Sequence, residues 1–182
     1  MTGVVGEPEL FRRAVATLRS VRTRPELELS VVRPPQRLAP WAYALTAEVT
    51  GPADELSTGR LVLLHDPDGV DSWSGIFRLV AYVRVELDPE LASDPLLPEV
   101  GWSWLTESLE VSDAPFVALG GTVTQTSSAR FGSIAGPART DDLELRASWT
   151  ATTPDLSPHG TAFYDLMATA VGLPPVGVTT LR

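Results

Sequence analysis

Residues 76–88 read IFRLVAYVRVELD, apolar at every odd position from Phe77 to Val85 and charged at Arg78, Arg84 and Glu86. A period of two marks an extended strand with one face on a core and the other toward solvent. Phe77, Leu79, Ala81, Val83 and Val85 are therefore expected beneath helices, and Arg78 and Arg84 on the opposite face. A slip of one residue would exchange the two sets. As the longest such run, this strand is expected at the centre of a sheet.

The same alternation continues on both sides. Upstream, 60–66 reads as a strand joined to 76–88 by Asp66-Pro67-Asp68-Gly69, which has the residue preferences of a type I turn and predicts a hairpin. Before it, 27–31 and 41–49 alternate likewise, interrupted by Pro34-Pro35-Gln36-Arg37. Downstream, 121–131 and 142–151 supply two more strands, the latter with Leu143, Leu145, Ala147 and Trp149 against Glu144, Arg146 and Ser148.

Three stretches carry the helical period instead. Over 8–22, Leu10, Phe11, Ala14, Val15, Leu18 and Val21 share a face, with Arg12, Arg13, Arg19, Arg22 and Arg24 opposite. Asp94-Pro95 is read as a cap and first-turn proline opening a helix to about 110, on which Trp102, Leu105 and Leu109 align. Ser157-Pro158 opens the last helix, which buries Phe163, Leu166, Met167 and Ala170 and stops at Gly172 before Pro174 and Pro175. The order helix, strands, helix, two strands, helix predicts an α+β fold. Its mainly antiparallel sheet, of roughly five to seven strands, has the first and last helices packed on one face. That order is similar to the secretion-chaperone-like fold, whose members are often non-enzymatic dimers; the likeness is one of fold only.

Composition narrows the classes. With 182 residues, 43% of them hydrophobic and 20% charged, the chain is read as a single globular domain over 1–182, with a loose tail after about 173. Its 14 basic and 23 acidic residues leave a formal charge of -9, which argues against nucleic acid and anionic membrane surfaces as partners. The absence of cysteine excludes disulfides, thiolate chemistry and cysteine-ligated metals. Met1 to Leu10 shows no leader pattern, and the apolar run Leu61 to Leu64 is too short to span a bilayer, so a cytoplasmic location is expected. Every basic residue is arginine and none is lysine, as a GC-rich bacterial genome would produce.

Arg60-Leu61-Val62-Leu63-Leu64-His65-Asp66-Pro67-Asp68-Gly69, Trp73, and Asp94-Pro95-Leu96-Leu97-Pro98-Glu99-Val100-Gly101-Trp102-Ser103-Trp104-Leu105 resemble an uncharacterised actinobacterial domain-of-unknown-function family (DUF3000). Arg37-Leu38-Ala39-Pro40, Gly121-Thr122-Val123-Thr124 and Arg146-Ala147-Ser148-Trp149 extend the resemblance across nearly the whole chain. It implies no activity, cofactor or catalytic residue.

Among residues able to do chemistry, His65, Asp66, Asp68 and Asp71 converge near the expected hairpin. They admit two readings: oxygen and nitrogen donors round a divalent cation, or turn-forming residues beside a hydrogen-bonded histidine. The spacing departs from a calcium loop, because Gly69 comes fourth from Asp66 where that loop needs glycine sixth. His159, in the first turn of the last helix, is expected exposed or capping. No Gly-x-Ser-x-Gly and no phosphate-binding glycine loop is present. No cofactor or metal is therefore expected.

Trp73, Trp102 and Trp104 are candidate anchors for a partner, since exposed aromatics favour interfaces, and Arg12 and Arg19 lie on the basic helix face. The expected function is a non-catalytic binding or adaptor protein that engages a protein partner or a second copy of itself. The alternative is a small-molecule or metal-dependent enzyme with its site near the His65 to Trp73 hairpin.

Overall fold

The structure, a computed structural model, describes residues 6–52, 54 and 56–176. Chain order is α1 (Glu9–Arg19), β1 (Leu27–Val32), β2 (Trp41–Thr50), β3 (Leu56–Val70), β4 (Gly75–Leu87), α2 (Leu97–Val111), β5 (Phe116–Ala129), β6 (Arg139–Ala151) and α3 (Ser157–Ala170). Short 3-10 turns lie at Asp71–Trp73 and Leu91–Ser93. The six strands form one sheet in the order β1-β2-β3-β4-β6-β5 with every neighbouring pair antiparallel. The helix α2 carries the chain out past the place where β6 later pairs with β4, which leaves β5 at the edge.

On β4 the residues Phe77, Leu79, Ala81, Val83 and Val85 are buried and Arg84 is exposed, as the alternation requires. Register carries the pattern sideways: Leu79 pairs with Leu63 of β3 and Trp149 of β6, and all three are fully buried. Each large apolar side chain removed from water in this layer contributes about 1.5–3 kcal/mol.

All three helices pack on this face, α2 joining the first and last. From α1, Phe11 stacks on His65 with ring centroids 5.7 Å apart. From α3, Phe163 and Met167 sit so close over Gly59 of β3 that a Cβ there would lie 2.9 and 2.5 Å from their nearest atoms. From α2, Gly101 lets the helix approach Leu143 of β6, which would be 2.9 Å from a Cβ at that glycine.

Several boundaries differ from the sequence expectation. The reversal between β3 and β4 lies at Asp71–Trp73, with Ser74 in the left-handed region at φ 58, and not at Asp66 to Gly69. Those four residues form an irregularity where the register shifts between His65 and Val70. Within it the Asp66 carboxylate accepts the Asp68 backbone N–H at 3.1 Å, so the local turn chemistry is satisfied without reversing the chain. Helix α2 starts at Leu97, with Pro98 in its first turn, because the Asp94 carboxylate accepts the Leu96 N–H at 2.8 Å and holds an earlier turn. Ser157 is the first residue of α3 and Leu156 its N-cap; the Asp155 carboxylate, one residue earlier, accepts the Ser157 N–H at 3.0 Å.

Strand β5 begins earlier than expected, across a bulge between Val117 and Gly120. After α3, Gly172 turns at φ 71 and Leu173 N–H returns to the Ala168 carbonyl. Arg24 donates to the Pro174 carbonyl at 3.0 Å, so the start of the expected loose tail is tied down; its remainder, 177–182, lies outside the described residues, as do Met1 to Val5. No described helix is long and apolar enough to cross a membrane.

Candidate functional site

The structure disperses the residues singled out round the expected hairpin. His65 is 1% exposed and lies between the rings of Phe11 and Phe77, 5.7 and 4.5 Å from their centroids. Its Nδ1 is 3.0 Å from the Ile76 carbonyl oxygen. Asp66 is half-buried and Asp68 and Asp71 are exposed. Among the described residues no three His, Asp or Glu side chains are grouped closely enough to hold a metal ion. Trp73 is half-buried and turns back to the uncovered sheet face, where it packs against Ala44, Val62 and Leu64.

The other candidate residues lie apart from that hairpin. Trp104 is half-buried beside Val83, Val85, Leu143 and Leu145, on the helix side of the sheet. Trp102 lies over Gly121 of β5, where a Cβ would be 2.9 Å from its ring. Arg12 is exposed and pairs with Glu9 one turn away. Arg19 borders a groove of about 140 Å³ with Leu29, Val31, Tyr43 and Tyr164; burial, then the neighbouring Tyr43, pushes the Tyr164 phenol up to about 12.

His159 is a correction. It is fully buried, because its imidazole turns inward from α3 and its Nδ1 accepts the Trp149 indole N–H at 3.0 Å. That bond places the proton of the neutral ring on Nε2, which is buried with no partner among the described residues. Burial holds the imidazole at about 4, against an opposing pull from Asp155.

The side chains not absorbed by the core gather on the opposite face of the sheet. Strand register lines up Thr46, Arg60, Tyr82, Arg146 and Thr122, one residue from each of β2, β3, β4, β6 and β5. The Arg146 guanidinium sits 5.5 Å from the Tyr82 ring centroid and bonds Glu144 at 3.2 Å. Tyr82 donates its hydroxyl to the other Glu144 oxygen at 3.0 Å; burial and that bond raise its pKa. Beside this row Arg84 bonds the buried Asp142 at 2.8 Å.

Arg78, on the other side, has no carboxylate partner among the described residues. It donates to the Ala118 carbonyl, Thr150 Oγ1 and Ser148 Oγ, stitching the β5 bulge to β6, and burial lowers its pKa. The cations Arg78, Arg84 and Arg146 of this face are thus held in place by neighbours.

One corner of the face is roofed. The segment 33–40, with Arg37 in the left-handed region at φ 68, crosses β2 and β3 and leaves a cavity of about 200 Å³ lined by Pro35, Leu38, Arg60, Val62, Val80 and Tyr82. Arg60 is fixed in its wall by donating to the Arg33 carbonyl at 3.0 Å. Reasoning on sequence placed Arg78, Arg84, Glu144 and Arg146 on this face but missed Arg60, Tyr82 and the roof. A signal existed: Leu61 to Leu64 is apolar at consecutive positions, so both faces of β3 are covered there and something must lie over Val62 and Leu64.

Over residues 7–179 the chain matches a protein family described as "Protein of unknown function (DUF3000)". No curated protein and no solved structure matches it.

Proposed function

The chain belongs to the DUF3000 family, whose description assigns no activity, and from the geometry we propose that it is a non-catalytic binding protein that engages a protein partner through its uncovered sheet face. The observation that carries this reading is the row Arg60, Tyr82, Arg146 beside an apolar cavity, on a face that none of the three helices covers. Arginine and tyrosine are the residue types that anchor protein interfaces, and here they are pre-positioned by Arg33, Glu144 and each other. The imidazoles give the enzyme alternative little support: His65 is stacked between two phenylalanines and His159 is enclosed against Trp149. A cytoplasmic site of action, expected from the hydropathy pattern of the sequence, and an actinobacterial source, implied by the resemblance to that family, belong to the same proposal. So does the option that the partner is a second copy.

Affinity capture with the full chain tests the reading. Three forms are compared: wild type, Tyr82→Ala/Arg84→Glu on the open face, and Arg13→Glu on the helix side, each first shown to fold. Proteins retained by wild type and by Arg13→Glu, and lost from the open-face variant, are the expected result. Loss from Arg13→Glu with retention by the open-face variant refutes it.

A further inference from the structure

We infer, resting on that reading of the sheet face, that the roofed corner cavity receives one aliphatic side chain of a partner protein segment whose neighbouring carboxylate engages Arg60. Size is the first argument. At about 200 Å³ the cavity is smaller than the ~300–1,000 Å³ of sites that enclose whole cofactors or drug-sized ligands, and suits a single side chain.

Its lining is the second. Val62 and Val80 on the sheet and Pro35 and Leu38 on the roof are apolar, and Leu38 remains 59% exposed, a large apolar group that the fold leaves at the rim.

Charge is the third. In a chain of net charge -9, Arg33 and Arg37 lie on the roof segment and Arg60 on the strand beneath it, and none of the three forms an ion pair among the described residues. Arg60 Nε is buried with no hydrogen-bond partner among them, although a buried donor is expected to have one. Beside it, the Tyr82 hydroxyl and Arg146 are already bonded to Glu144. Of these arginines Arg60 lines the cavity, so an acid beside the anchored side chain meets that one guanidinium, the match of a single carboxylate. The complementary segment is therefore acidic with an aliphatic anchor.

The probe is 4-methylpentanoate, an aliphatic body with one carboxylate, titrated into the full chain by NMR with its amide, 4-methylpentanamide, as comparison. Saturable shifts are expected at the Leu38, Val62 and Val80 methyls and at Arg60 Nε–H, with the amide binding about fivefold or more weakly. Arg60→Gln reduces the acid to the level of the amide, and Val80→Phe, which fills the cavity, abolishes both. Equal binding of acid and amide, shifts centred elsewhere, or no saturable shift at concentrations on the order of tens of millimolar overturns the assignment. If this happens while the open-face variant still loses captured partners, the ligand chemistry is wrong and the binding face stands. If the open-face variant keeps its partners, the face itself is wrong and the assignment falls with it.

Discussion

Acidification from pH 7 to pH 5 is expected to weaken the fold through His159. The ring is fully buried and burial holds it at about 4 in place of 6.5. The unfolded chain therefore takes up a proton first. Stability is fully present above the ordinary histidine value and declines as pH falls through 6.5 toward 4, where the folded ring also titrates. The full separation is worth about 3 kcal/mol, of which about 2 kcal/mol is lost between pH 7 and pH 5. Urea unfolding at the two pH values measures it. The control is His159→Gln, whose amide oxygen can still accept the Trp149 indole N–H but does not titrate. The comparison with this variant matters because Asp165, whose carboxyl is raised by burial, works in the opposite direction. A wild-type loss that His159→Gln lacks supports the buried neutral ring. Equal losses in the two proteins, or none in wild type, refute it.

Gly121→Ala is expected to cost about 3 kcal/mol by urea unfolding, because the new Cβ would lie 2.3 Å from the Arg146 carbonyl oxygen and 2.8 Å from the Ala147 Cα, backbone atoms that cannot yield. Gly120→Ala, with nothing within 4 Å, should stay within about 0.5 kcal/mol of wild type in the same assay. Arg78→Met removes the donors to Ala118, Ser148 and Thr150 and should lower stability by about 1–2 kcal/mol, with little dependence on salt since no carboxylate partners it among the described residues. His65→Phe keeps the stack on Phe11 and Phe77 and loses the bond to the Ile76 carbonyl; a loss of about 1 kcal/mol with partner capture unchanged is expected, and abolished capture would return attention to that histidine.

The central strand was legible because both of its environments are written into alternate residues: five apolar positions from Phe77 to Val85 and charged ones between. The hairpin position was not. Asp66, Pro67, Asp68 and Gly69 satisfy a local turn preference, but Trp73 packs on Ala44, Val62 and Leu64, and the strand pairing resumes at Val70 with Gly75. Tertiary burial of an indole outweighs a turn preference. His159 misled for a similar reason. Its place in the first turn of a helix says nothing of rotation, and the partner that draws it inward, Trp149, lies on a different element. The row Arg60, Tyr82, Arg146 comes from three strands, so only the register brings it together. Its roof looked like an interruption between strands, since prolines at 34 and 35 signal a break without saying which face the chain then crosses.

Site-resolved photo-crosslinking in cells of the source organism bears most directly on whether the uncovered sheet face is the working surface. A photoreactive phenylalanine is placed one position at a time at Thr46 and Thr124 on that face, and at the exposed Arg13 and Glu107 on the helix side. Adducts from Thr46 and Thr124 that disappear when Arg60→Glu and Arg146→Glu are added are the predicted result. Adducts confined to Arg13 and Glu107, unchanged by those two substitutions, would contradict it.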